Sequence, residues 1–139
     1  MITKEQIVSI LIGEFPAFKP DEDYDNLPYA ALGDFARFSL SLYHGGNTAQ
    51  LSRVGEIIER FHIEGDTYVR EAATIGILEG IQNTWKNAGI DPEQFCPYLQ
   101  PVSVRCWRSL GKFWNQDIPH VGFDIAEKYI EQDIAPSDR

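Results

Sequence analysis

Cysteine, methionine and histidine are scarce in this chain of 139 residues, with two, one and three copies respectively. Cys96 and Cys106 lie ten positions apart, a spacing that fits neither a zinc site nor a Cys-x-x-Cys redox pair. They are expected as reduced thiols packed as small apolar groups. His44, His62 and His120 are scattered, with no H-E-x-x-H relation linking them to one another or to an acid, so neither a metal nor a cofactor is expected. No stretch approaches the roughly 18 consecutive apolar residues of a membrane helix. The N-terminal residues form no signal-peptide hydrophobic region, and the expected location is the cytoplasm. Basic residues are the other shortage: 12 Lys and Arg face 21 Asp and Glu, for a formal charge of −9. Phosphate neutralisation needs clustered cations, so a general nucleic-acid binder is excluded and a basic partner is left open. There is no G-x-S-x-G, and Gly45-Gly46 precede a helix without the lysine of a phosphate loop.

What is present is enough for one ordinary soluble domain. The chain is 43% hydrophobic, with eight Phe, six Tyr and three Trp, and a chain of this size buries about 68–70% of its unfolded surface. Residues 1–139 are expected as a single helical domain, with 134–139 a frayed tail.

Apolar spacing is helical almost throughout. Thr3 and Gln6 form a capping box ahead of Ile7, Ile10, Leu11 and Phe15, and Pro16 and Pro20 end that helix. Asp21 to Asn26 reads as an acidic loop. Pro28 opens a second helix with a stripe of Leu32, Phe35, Ala36, Ser39, Leu40 and Tyr43, closed by His44-Gly45-Gly46-Asn47. In the third, Leu51, Val54, Ile57, Ile58 and Phe61 face inward, and Arg53, Glu56, Glu59 and Arg60 face solvent. Gly65 ends it, and Asp66 or Thr67 caps a fourth helix from about Tyr68 to Asn87. That helix is apolar over much of its circumference, and Ala72, Ala73, Gly76 and Gly80 allow a neighbour to approach closely. Asp91-Pro92-Glu93 starts one or two turns. A core helix follows with Val104, Trp107, Leu110, Gly111 and Trp114 inward and Arg105, Arg108 and Lys112 outward, and a docking helix is expected from Val121. The predicted fold is all-α: a compact array of about six or seven helices packed as antiparallel hairpins, HEAT-like or an orthogonal bundle.

Charged pairs read first as structure. Glu56 and Glu59, flanked by Arg53 and Arg60, make a solvated helix face. Asp34, Arg37, Arg70 and Glu79, on crowded helices, read as a partly buried network; a catalytic reading needs a cleft joining them or a histidine, which sequence order neither shows nor forbids. The positive hint is electrostatic. Residues 1–69 hold 11 acids and 5 bases, whereas 86–112 hold 4 bases and 2 acids. Asp21, Glu22, Asp23 and Asp25, with Glu56 and Glu59, are the candidate contacts for a basic protein.

Two stretches carry a resemblance. Glu14-Phe15-Pro16, Leu27-Pro28-Tyr29 and Gly33-Asp34-Phe35-Ala36-Arg37-Phe38 form the first; Val69-Arg70-Glu71-Ala72 and Ile77-Leu78-Glu79-Gly80-Ile81-Gln82-Asn83 form the second. They resemble small all-α bacterial proteins similar in character to immunity proteins of polymorphic toxin and contact-dependent growth inhibition systems. The resemblance covers about residues 7–120, rests on helix-packing residues, and supplies no interface motif. It implies a non-catalytic inhibitor that neutralises one cognate toxin domain, with a basic nuclease as the narrower expectation, by blocking its active site. The alternative is a helical adaptor or regulatory module with a non-toxin partner.

Overall fold

A capping box leads the chain into its first helix: the Thr3 N–H donates to Gln6 Oε1 (2.9 Å) across a 3₁₀ turn, Lys4–Gln6. The computed structural model describes residues 1–20 and 28–115, with side chains of the last helix described through Gly111. Its elements are α1 (Ile7–Glu14), α2 (Pro28–His44), α3 (Thr48–Glu64), α4 (Thr67–Glu71), α5 (Glu79–Asn87) and α6 (Pro101–Asn115). A π-helical segment, Ala72–Leu78, joins α4 to α5, and 3₁₀ turns at Pro92–Gln94 and Cys96–Tyr98 join α5 to α6. The fold is all-α. The only β feature among the described residues is one isolated bridge: the Ile2 N–H donates to the Glu64 carbonyl (2.8 Å), the Ile2 carbonyl accepts from Asp66 N–H (2.9 Å), and the N-terminus is pinned to the α3–α4 junction.

Helix boundaries follow local chemistry. Gly46, at φ +67°, adopts the left-handed conformation that ends α2. Asn47 caps α3 by accepting from Gln50 N–H (3.2 Å), Asp66 caps α4 through Val69 N–H (2.9 Å), and Asp91 caps the Pro92–Gln94 turn through Glu93 N–H (3.0 Å). Cys96 and Cys106 are free thiols, Cys106 buried in the core and Cys96 packed against it.

One hydrophobic core runs through these elements. Phe35 of α2 meets Phe15 and Phe18 at centroid separations of 5.4 and 5.2 Å. At the other end, fully buried Trp85 packs on Phe95 (5.5 Å) and donates its indole N–H to Ser39 Oγ (3.3 Å). Helix α2 lies against the π segment and α5, while α3 lies against α6. The small residues of the long central helix do admit a neighbour closely: a Cβ on Gly76 would stand 2.5 Å from Leu32 Cδ1. An approach that periodicity does not signal occurs at Gly55, where a Cβ would stand 1.9 Å from the Tyr98 carbonyl oxygen.

Two expectations change. The helix expected from Tyr68 to Asn87 spans Thr67 to Asn87 but is not uniformly α: in its middle the Glu79 N–H bonds the Thr74 carbonyl, five residues back. Glu59 is 6% exposed and faces the core rather than solvent, together with Gly55 and His62. The acidic loop, Trp114, Lys112, the helix expected from Val121 and the tail 134–139 lie outside the residues whose side chains are described.

Candidate functional site

The outer face of α3 carries a ladder of ion pairs. Arg53 binds Glu14 of α1 and, at 2.7 Å, Glu56; Arg60 binds Glu64 at 3.4 Å and approaches Glu14 at 3.9 Å. Hydrogen bonds to Glu56 and Glu14 push the Arg53 guanidinium above its ordinary range. Three acids against two bases leave this face almost neutral, and the side chains are partly solvated, so each pair contributes under about 1 kcal/mol. Of the six sequence-predicted contacts, Glu56 stands on this ladder, already paired. Asp21, Glu22, Asp23 and Asp25 lie outside the described residues.

Glu59 does something else. Helix α6 opens with Pro101, which has no N–H, and the residue before it is Gln100, a poor local cap. The carboxylate of Glu59 supplies the missing acceptor from α3: Oε2 takes Val102 N–H (3.1 Å), and Oε1 takes Ser103 N–H (2.9 Å). A carboxylate at a helix N-terminus is stabilised both by these otherwise orphaned donors and by the helix dipole. This tie, 43 residues long in sequence, sets where α6 begins.

A buried chain of hydrogen bonds extends from that cap. Ser103 Oγ donates to Glu59 Oε1 (2.8 Å), His62 Nδ1 lies 2.8 Å from Ser103 Oγ, and His62 Nε2 lies 2.9 Å from Thr74 Oγ1 of the π segment. Proton counting fixes the order. The single Ser103 hydroxyl proton is committed to Glu59, so Ser103 accepts from the Nδ1–H of His62; Nε2 is then the bare nitrogen and accepts from the Thr74 hydroxyl. Every link is satisfied with a neutral imidazole. Burial holds the His62 pKa at about 4; the Glu59 charge pushes it up and Arg70 pushes it down.

Serine beside histidine and glutamate has the composition of a nucleophilic triad but not its wiring. In a triad the histidine removes the serine proton and the acid orients the histidine. Here the acid holds the serine proton and the histidine donates to the serine. Ser103 is fully buried, and the Val102 and Ser103 N–H groups that an oxyanion would need are occupied by Glu59. The arrangement fastens α3, α6 and the π segment together.

Asp34 pairs with Arg37 within α2. Tyr29 meets Tyr68 edge-to-face at 5.9 Å, with Lys4 5.4 Å from the centroid of the Tyr68 ring; burial and then the charge of Glu71 push both phenol pKa values up. His44 is exposed at the end of α2. Among the described residues, no group of three or more His, Cys, Asp or Glu is arranged to hold a metal ion, and no helix is long and apolar enough to cross a membrane.

By architecture this is an all-α protein in which buried Glu59 caps α6 and the Glu59–Ser103–His62–Thr74 chain tethers α3, α6 and the π segment. Residues 8–115 match the family described as Domain of unknown function (DUF7674), and the chain belongs to that family. No curated protein and no solved structure matches the chain.

Proposed function

We propose that the protein is a non-catalytic inhibitor of the immunity type, acting in the cytoplasm to neutralise a cognate bacterial toxin domain, with a basic nuclease as the narrower target. The observation that carries this reading is the partition of charge. Residues 1–20 and 28–115 hold 11 acids and 10 bases, whereas 21–27 and 116–139 together hold 10 acids and 2 bases. The excess negative charge of the sequence therefore lies in residues 21–27 and 116–139. Carboxylates concentrated in this way attract a cationic protein over long range, raise the encounter rate and can occupy a surface that holds phosphates. The interior supports the same reading. Glu59, Ser103, His62 and Thr74 are spent on one another, and the α3 ladder neutralises itself.

The test is genetic and direct. A toxin domain encoded beside this gene is expressed with the chain in a bacterial host. Survival with the chain, lost when Asp21, Glu22, Asp23 and Asp25 become Asn or Gln, is the expected outcome. Survival unchanged by those four substitutions removes these carboxylates from the proposal. Killing despite full-length chain at matched expression removes the inhibitor reading for that toxin.

A further inference from the structure

A cleft of about 480 Å³ lies between α5, the Pro92–Gln94 turn and α6, in the size range of ligand-binding depressions. Gln82, Asn83 and Lys86 of α5 line it, facing Asp91 and Glu93 of the turn and Gly111 of α6. Two features of its lining bear on what it can receive. The side chains of Gln82, Asn83 and Lys86 make no hydrogen bond or ion pair with the described residues, unlike the self-neutralised ladder on α3. Asp91 and Glu93, by contrast, are held in place by one oxygen each. Asp91 Oδ1 accepts from Glu93 N–H, and Glu93 Oε1 accepts from the Trp107 indole N–H (2.9 Å), which leaves the second oxygen of each for an incoming donor.

Gly111 is the second, independent observation. It lies inside α6, where glycine is the least favourable residue for a helix other than proline, and, apart from its chain neighbours and its own helix backbone, no described atom lies within 4 Å of the place its Cβ would take. Packing within the described chain does not require glycine there, in contrast to Gly55 and Gly76. Among the described residues, nothing fills the α6 wall of the cleft at that point.

We infer that this cleft receives an extended, basic segment of a partner protein, its arginine or lysine entering between Asp91 and Glu93 and its main chain lying along Gln82, Asn83 and Lys86. Each lining group then has a use: the fixed carboxylates take the cation, the two amides both donate and accept along a peptide edge, and the Lys86 ammonium takes a carbonyl. A phosphate would be set beside Asp91 and Glu93, and an apolar helix would strand the amides and the ammonium without partners. The inference rests on the protein-binding function proposed above and adds a location and a partner chemistry to it.

The experiment uses the full chain labelled with ¹⁵N. It is titrated with acetylated, amidated Ala-Arg-Ala, and separately with the matching Ala-Glu-Ala peptide. The expected result is saturable, millimolar-range shifts at Asn83, Lys86 and Gly111 with the arginine peptide, at least tenfold weaker with the glutamate peptide. These shifts should be weakened by Asp91→Asn, which retains the turn cap, and abolished by Gly111→Leu, which fills the cleft while keeping the thermal midpoint at or above that of the parent. Equal response to both peptides, no localised response, or unchanged binding in Gly111→Leu overturns the inference. The toxin assay separates the two proposals. If Gly111→Leu loses the arginine peptide yet protects cells as the parent does, the cleft is not the toxin's docking place and the inhibitor function stands. If the peptide binds as expected while the parent chain protects against no neighbouring toxin, the inhibitor function falls and the cleft stands as a peptide site.

Discussion

Acidification should destabilise this protein through His62 before general carboxylate titration does. An ordinary histidine in the unfolded chain has a pKa of about 6.5, and burial holds His62 at about 4 in the folded protein. Between those values the unfolded chain binds a proton that the folded one refuses, so the unfolded state is favoured as pH falls. The contribution is fully present above about pH 6.5, falls by about 1.4 kcal/mol per pH unit below it, and levels off near pH 4. At pH 5 the loss is about 2 kcal/mol, a large share of a typical 5–15 kcal/mol stability. Structure supplies the cause. Both ring nitrogens are already engaged, by Ser103 and Thr74, and a proton on Nε2 would meet the Thr74 hydroxyl that now donates to it; Glu59 favours the charge and Arg70 opposes it. The assay is urea unfolding of the parent and of His62→Asn at pH 7.5 and pH 5. Asparagine retains a donor toward Ser103 and does not titrate, so the variant is less stable at pH 7.5 but loses about 2 kcal/mol less than the parent on acidification. Equal losses in the two proteins would refute the reasoning.

Other consequences follow from the same geometry. Glu59→Ala leaves the Val102 and Ser103 N–H groups without their acceptor inside the protein and should lower stability by about 2–4 kcal/mol, whereas Glu59→Gln, which keeps one oxygen, should cost less; both are read by chemical denaturation. Gly55→Ala should destabilise by about 1–3 kcal/mol, although helix propensity alone predicts a gain of up to about 1 kcal/mol, because the new Cβ meets the Tyr98 carbonyl. A raised melting temperature for that variant would contradict the packing. Arg53→Ala should change stability by less than about 1 kcal/mol, the difference shrinking in high salt, since its pairs with Glu14 and Glu56 are partly solvated.

Much of the helix plan is readable from local chemistry. Asn47, Asp66 and Asp91 act as caps, Gly46 ends α2, and the small residues of the central helix seat Leu32 at Gly76. Glu59 shows where that reading stops. At about 100° per residue, Glu59 projects about 80° from Leu51, closer to the buried arc than Ile63 at about 120°. The structure agrees, with Glu59 6% and Ile63 64% exposed. Assigning every charged residue of α3 to solvent overrides that projection. The signal was present in pieces: Gly55 and His62 lie one turn before and after Glu59 on the same side, and α6 starts at Pro101 with no local cap. The partner of Glu59 was not readable, because a capping bond between residues 43 apart depends on how helices dock. The π segment was equally silent, since its apolar residues fit an α or a π turn, and His62 and Thr74 are matched only when α3 and the central helix are packed together. Surface function is less legible still: net charge marks an acidic protein, and the placement of Glu56 on a self-paired ladder comes only with the fold.

Association kinetics between the purified chain and the toxin domain encoded beside its gene, measured by stopped flow at low and high salt, put the inhibitor claim to its most direct trial. A one-to-one complex that silences the toxin, with an association rate that falls steeply as salt rises and falls again on neutralising Asp21, Glu22, Asp23 and Asp25, is the predicted result. A complex indifferent to both salt and those substitutions, or turnover of a substrate by the chain itself, would contradict it.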